Sequence, residues 1–149
     1  MYTMKIESIH DMWEEDCKIS RDFTEASLST PNLHAKYLRI MNQEKGRLVY
    51  YEMEQKKLLK KKWLYYNGKM SQDEIEEAGW EYDPFDGLKV LKGEMDYYYN
   101  ADEDIQKSEM RILLQKQKID ILKEIIDNLK WRHQTIKNAI EWKKFEAGV

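Results

Sequence analysis

Isoleucine recurs every seven residues at Ile105, Ile112, Ile119 and Ile126, and His133 and Ile140 continue the series. Leu122, Leu129 and Ile136 stand three residues after members of that series. A seven-residue repeat with companions at this offset draws one apolar stripe along an α-helix. The pattern predicts a helix from about residue 102 to about residue 145. At 1.5 Å per residue it extends roughly 60 Å, more than a small globule needs. Such a helix is expected to find partners in its own chain or in other copies. The stripe residues Ile112, Ile119, Leu122, Ile126, Leu129, Ile136 and Ile140 are the candidate oligomerisation residues.

The flanks of the repeat decide what kind of partner. With Ile105 at position a, the e sites hold Lys116, Lys123, Lys130 and Lys137, and the g sites include Arg111, Lys118 and Arg132. A parallel two-stranded coiled coil would bring these like charges together. Leu113, Leu114, Ile121, Ile125 and Trp142 widen the stripe beyond a and d. A wide stripe suits a multi-helix core or a head-to-tail subunit contact. Only two prolines and six glycines interrupt the whole chain of 149 residues. Few breakers and a high charged share of 36% suit long helices with solvated faces, so the expected fold class is all-α.

Upstream, KIESIHDMWEEDCK spaces Ile6, Ile9, Trp13 and Cys17 as one face of an amphipathic helix, with Cys17 read as a small core residue. Ser20 to Thr30 is read as a short helix or turn, and Thr30-Pro31-Asn32 as a helix start. From Leu33 to about Tyr66 only Gly46 interrupts the helical pattern, and Tyr37, Met41, Leu48, Tyr51, Leu58 and Leu59 share a broad face. Asn67-Gly68 ends that helix with residue types that tolerate left-handed backbone. Residues 88–100 are expected to form a loop with at most a brief element. The expected division is an N-terminal helical part over 1–100, with an acidic loop, and a C-terminal helical oligomerisation region over 101–149.

Charge is sharply segregated. QKKLLKKKWLYYNGK, residues 55–69, carries Lys56, Lys57, Lys60, Lys61, Lys62 and Lys69 and no acid, although the chain as a whole has a formal charge of −3. Residues 71–87 then hold Asp73, Glu74, Glu76, Glu77, Glu81, Asp83 and Asp86 and no base. Charge runs of the first kind are commonly solvated helix faces. The functional alternative is a nucleic-acid site in which lysines neutralise phosphates and Trp63, Tyr65 and Tyr66 stack on bases. The acidic run would compete with DNA or engage a basic surface on a partner.

Other chemistry finds little support. His10, His34, His133 and Cys17 are scattered, with no pair at metal-ligand spacing, and His133 reads as partly buried or interfacial. Asp102, Glu103 and Asp104 open a helix, where carboxylates stabilise the dipole. Tyr97-Tyr98-Tyr99 reads as a packed anchor. No phosphate-binding glycine loop is present, so no enzymatic activity and no cofactor are expected. No apolar run approaches membrane-spanning length, and MYTMKIESIHDMW has no secretion-signal pattern. The single Cys17 fits a reducing compartment.

QKKLLKKKWLYYNGK resembles the basic helix of the UvsY recombination mediators of T-even-type bacteriophages. NADEDIQK at 100–107 and IKNAIEWKKFEAG at 136–148 are similar to that family too, as is KIESIHDMWEEDCKIS more loosely. The resemblance implies a non-enzymatic protein in the cytoplasm of the infected host. It implies binding to single-stranded DNA and loading of a UvsX-like recombinase onto strands covered by the phage single-strand-binding protein. It also implies a ring-like homo-oligomer of six or seven subunits, assembled through the C-terminal region. The family's basic pair falls on Lys60 and Lys62, with Lys56, Lys57 and Lys61 in support. Here the second base is lysine, which lacks the planar fork of arginine. The competing reading is a helical oligomeric scaffold that never touches nucleic acid.

Overall fold

The computed structural model describes residues 4–85, 87–88 and 90–149. Six helices are present: α1 (Ile6–Asp16), α2 (Phe23–Tyr66), α3 (Gln72–Ala78), α4 (Met95–Ala101), α5 (Glu103–Lys130) and α6 (Arg132–Glu146). The described residues contain no strand. The all-α expectation holds, but several boundaries differ.

The chain forms two compact units, one of residues 1–47 with 115–149 and one of residues 48–114. A division between residues 100 and 101 therefore does not coincide with them. The first unit is discontinuous in sequence, a property that composition along the chain does not reveal.

In the first unit, Trp13 of α1 meets the ring of Tyr37 edge-on, with centroids 5.5 Å apart. The Tyr37 hydroxyl donates to Asp16 Oδ2 at 2.8 Å, and Lys36 Nζ donates to the same oxygen at 2.6 Å. Burial works to raise the Asp16 pKa, but the bonds from Lys36 and Tyr37 outweigh it and hold the carboxyl below its ordinary value. This cluster pins α1 to α2. Cys17 lies outside α1 and is exposed, its thiol donating to the Glu14 carbonyl at 3.4 Å. The expected apolar face ends one turn earlier than the spacing implied.

Helix α2 starts eight residues before the expected proline start, with Pro31 inside it. Asp22 Oδ1 accepts the Glu25 N–H at 3.1 Å and so provides the cap. Pro31 forfeits one helical hydrogen bond, a cost that burial of Ala26 and Tyr37 on the same helix helps offset. The far end behaves as expected. Gly68 has φ +67°, and the Lys69 N–H reaches back to the Leu64 carbonyl at 2.8 Å, closing a Schellman motif.

The predicted C-terminal helix is divided at Trp131, whose N–H bonds to the Asn128 carbonyl three residues back. At this step Arg132 occupies the inward place expected for His133, which is exposed. The Arg132 guanidinium donates to Thr30 Oγ1 at 3.1 Å and to the Asp16 carbonyl at 3.4 Å. Lys118 and Arg132, two of the g-site bases, are thus buried within the chain. Lys118 Nζ lies 3.4 Å from Glu44 Oε2, to which Gln115 donates at 2.6 Å, while Arg47 pairs with Glu44 Oε1 at 2.6 Å.

The isoleucine stripe also lies inside. Ile112, Ile119, Leu122, Ile126, Leu129 and Ile136 are buried in the single chain, and Ile140 is half-buried. Six of the seven residues expected at the subunit contact are therefore covered by their own chain, because the stripe packs within the chain. The apolar residues left exposed are different ones, including Met110, Leu113, Leu114, Trp142 and Phe145.

Candidate nucleic-acid interface

The second unit carries the lysine run on the last turns of α2. Lys56 and Lys60 lie one turn apart, as do Lys57 and Lys61, and all four are exposed. Lys57 pairs with Glu54 at 3.1 Å, an exposed contact of small energetic weight. Lys56, Lys60 and Lys61 enter no ion pair among the described residues. Together they form a cationic edge on one helix.

Lys62 does not belong to that edge. It is 4% exposed. It falls three or four residues from Leu58, Leu59, Tyr65 and Tyr66, so helical geometry turns it inward with them. Its ammonium lies 3.0 Å from Asp102 Oδ2, 2.9 Å from Asp104 Oδ2 and 3.8 Å from the centroid of the Trp80 ring. Trp80 Nε1 donates to the same Asp104 oxygen at 2.9 Å. The expectation that Lys62 presents its charge to DNA is therefore corrected: two carboxylates and an indole already surround it.

The aspartates do more than stabilise a helix dipole. Asp102 Oδ1 accepts the Ile105 N–H at 3.0 Å, capping α5, and its other oxygen accepts the Tyr66 hydroxyl. Burial pushes the Asp102 pKa up, but hydrogen bonds from Tyr66, the Ile105 N–H and Lys62 prevail and lower it. The Tyr66 hydroxyl is pushed well above its ordinary value, first by burial and then by Asp102. Lys62 is thus the hub that ties the end of α2 to the start of α5.

The neighbouring aromatics divide in the same way. Tyr65 is buried against Trp80, with centroids 5.1 Å apart. Tyr66 packs against Phe85, Tyr98 and Tyr99. Of the three predicted stacking residues only Trp63 stays substantially exposed, with Lys69 Nζ 4.5 Å from its centroid. Within the tyrosine triple on α4, Tyr98 and Tyr99 are packed and Tyr97 is exposed.

Two grooves flank the cationic edge. One, of about 600 Å³, lies between α2 and α3 and is lined by Lys57, Lys60 and Lys61 facing Glu74 and Glu77. Helix α3 is built from the acidic run, with a Ser71–Glu74 capping box and Gly79 at φ +72°. Asp86, the last acid of that run, is outside the described residues. The other groove, of about 490 Å³, lies between α2 and α5 and includes Tyr51, Lys61, Lys107 and Arg111. The Arg111 guanidinium sits 4.8 Å from the centroid of Tyr51. In the sequence Arg111 stands out only as a g-site flank of the apolar stripe, and Lys107 does not stand out at all. Their four-residue spacing on the flank of that stripe was the available signal.

Among the described residues no cluster of His, Cys, Asp or Glu is placed to hold a metal ion, and no helix is long and apolar enough to cross a membrane. The arrangement thus offers polyanion recognition by ammonium groups.

Residues 12–149 match the family described as recombination, repair and ssDNA binding protein UvsY. The chain belongs to the UvsY family. Nothing matches it among curated proteins. Crystal structures of the bacteriophage T4 recombination mediator protein UvsY share its fold. The Lattice Type II structure is 23% identical and matches over 97% of this chain and 99% of that one, with a TM-score of 0.78. For Lattice Type IV the identity is 21%, the shares are 96% and 99%, and the TM-score is 0.77. Lattice Type I gives 22% identity, shares of 92% and 97%, and a TM-score of 0.75. At these identities the structures establish a shared fold, while family membership rests on the match along the chain. Membership places the chain in a family of recombination, repair and ssDNA binding proteins.

Proposed function

We propose that this UvsY family member binds single-stranded DNA through Lys56, Lys57, Lys60 and Lys61, and that it loads a UvsX-like recombinase onto strands covered by the phage single-strand-binding protein. The observation that carries the DNA site is the exposed cationic edge, most of it free of carboxylate partners, in a chain of a DNA-binding family. The chain works as a homo-oligomer of six or seven subunits in the cytoplasm of the infected host. In such a ring each subunit adds a few phosphate contacts to one strand, and avidity multiplies weak individual binding. With the isoleucine stripe already covered, Met110, Leu113 and Leu114 of α5 and Trp142 and Phe145 of α6 are the apolar groups left for a neighbouring subunit. The mechanism is non-covalent: the oligomer holds the strand, loosens the resident binding protein and stabilises the first recombinase subunits.

The test is binding of a fluorescent oligo-dT strand across a salt series, wild type against Lys56→Gln, Lys60→Gln, with equal assembly size established by sedimentation. For single strands each phosphate contact contributes about −0.7 to the slope of log affinity against log salt. The expected result is salt-sensitive binding with a shallower slope in the variant. No binding by the intact wild-type oligomer would overturn the proposal in favour of a helical scaffold.

A further inference from the structure

We propose that the groove between α2 and α5 is a phosphodiester subsite, in which Lys61, Lys107 and Arg111 contact the backbone of a single strand. This deepens the DNA-binding reading and rests on it. Lys107 and Arg111 stand one turn apart on α5 and face the groove together with Lys61 of α2. All three are exposed, and none enters an ion pair among the described residues.

The two carboxylates in the same groove are each held in an ion pair, although Asp104 shares its lysine with Asp102. Glu54 pairs with Lys57 at 3.1 Å, and Asp104 pairs with the buried Lys62 at 2.9 Å. Three cations therefore face two paired acids, and an approaching strand meets a net positive groove. The groove between α2 and α3 differs, because Glu74 and Glu77 line it and neither enters an ion pair among the described residues. Screening extends only over about 8–10 Å at physiological salt, so these glutamates act fully on anything inside that groove. Lys61 lines both grooves, each of which holds three bases and two acids, and what favours the α5 side is that its two acids are held in ion pairs whereas Glu74 and Glu77 are not.

Arg111 adds a geometric element. With its guanidinium 4.8 Å from the Tyr51 ring centroid, the aromatic face restrains it while donors remain for a phosphate. Such an arginine offers two parallel hydrogen bonds, which a lysine cannot reproduce.

The experiment uses the full-length oligomer and labelled oligo-dT. Lys107→Gln, Arg111→Gln is compared with Lys116→Gln, Lys123→Gln, which removes the same charge from exposed α5 positions outside the groove. Each variant is first shown to assemble as wild type does. Loss of two contacts is expected to make the salt slope shallower by about 1.4, so that the wild-type advantage shrinks roughly sevenfold between about 50 and 200 mM salt. The control pair is expected to follow wild type. Arg111→Lys is expected to keep the wild-type slope while binding more weakly. A groove variant indistinguishable from the control pair overturns the subsite. If Lys56→Gln, Lys60→Gln still weakens binding in that case, the α2 edge stands alone. Absence of binding by wild type defeats both readings.

Discussion

Replacing Lys62 by methionine should damage folding and spare DNA contact. Methionine fills similar volume but leaves the buried Asp102 without the ammonium 3.0 Å away and Asp104 without the one at 2.9 Å. Removing one partner of a buried ion pair costs about 3–5 kcal/mol. Asp102 keeps the Tyr66 hydroxyl and the Ile105 N–H, and the Asp104 side chain is 43% exposed. Those compensations place the loss near the lower end, about 3 kcal/mol. An exposed lysine such as Lys60 is expected to change stability by no more than about 0.5 kcal/mol. The assay is urea unfolding at fixed protomer concentration, because assembly adds to apparent stability. A thermal midpoint lower by about 6–12 °C is the corresponding shift. Under folding conditions the salt slope for oligo-dT should match wild type. A Lys62→Met protein as stable as wild type, with a slope shallower by about 0.7, would refute the reasoning. The consequence is practical, since a double substitution of Lys60 and Lys62 would mix loss of fold with loss of contact.

The lowered pKa of Asp102 has a defined pH signature. A depressed carboxylate contributes stability that is complete above its unfolded pKa, about 3.9, and is lost as pH falls through the lower folded value. The stability advantage of wild type over Asp102→Asn should therefore shrink as pH falls from about 4 toward 2, as followed by urea unfolding. A gap that stays constant across this range would contradict the assignment. In the first unit, Glu44→Ala strips Lys118 and Gln115 of a buried acceptor and should cost about 3 kcal/mol in the same assay. Glu44→Gln, which retains an acceptor for Gln115, should cost less.

Much of this molecule is legible in its residues because local rules dominate there. A seven-residue apolar period specifies a helix with a buried stripe wherever a partner is found, and that stripe is buried. Asn67-Gly68 stops α2 because left-handed backbone is cheapest for glycine. The order and spacing of short segments carried the family likeness, which the match over residues 12–149 establishes.

The partner of each face was beyond sequence reading, because it depends on which elements meet. Pro31 reads as a start under local rules, yet it lies within α2, with Ala26 before it and Tyr37 after it buried. Ile119 and Leu122 satisfy the heptad pattern equally well against a second subunit or their own chain, and only the tertiary structure selects the latter. Lys62 shows the physical reason most plainly. Its spacing from Leu58 and Tyr65 permits an inward position, but burying an ammonium is unfavourable without opposite charge nearby. That compensation comes from Asp102 and Asp104, some forty residues away in sequence. Sequence by itself determined that this chain would be helical, striped and locally basic. Tertiary structure decided which lysines face water, because the desolvation cost of each depends on carboxylates that only folding brings within reach.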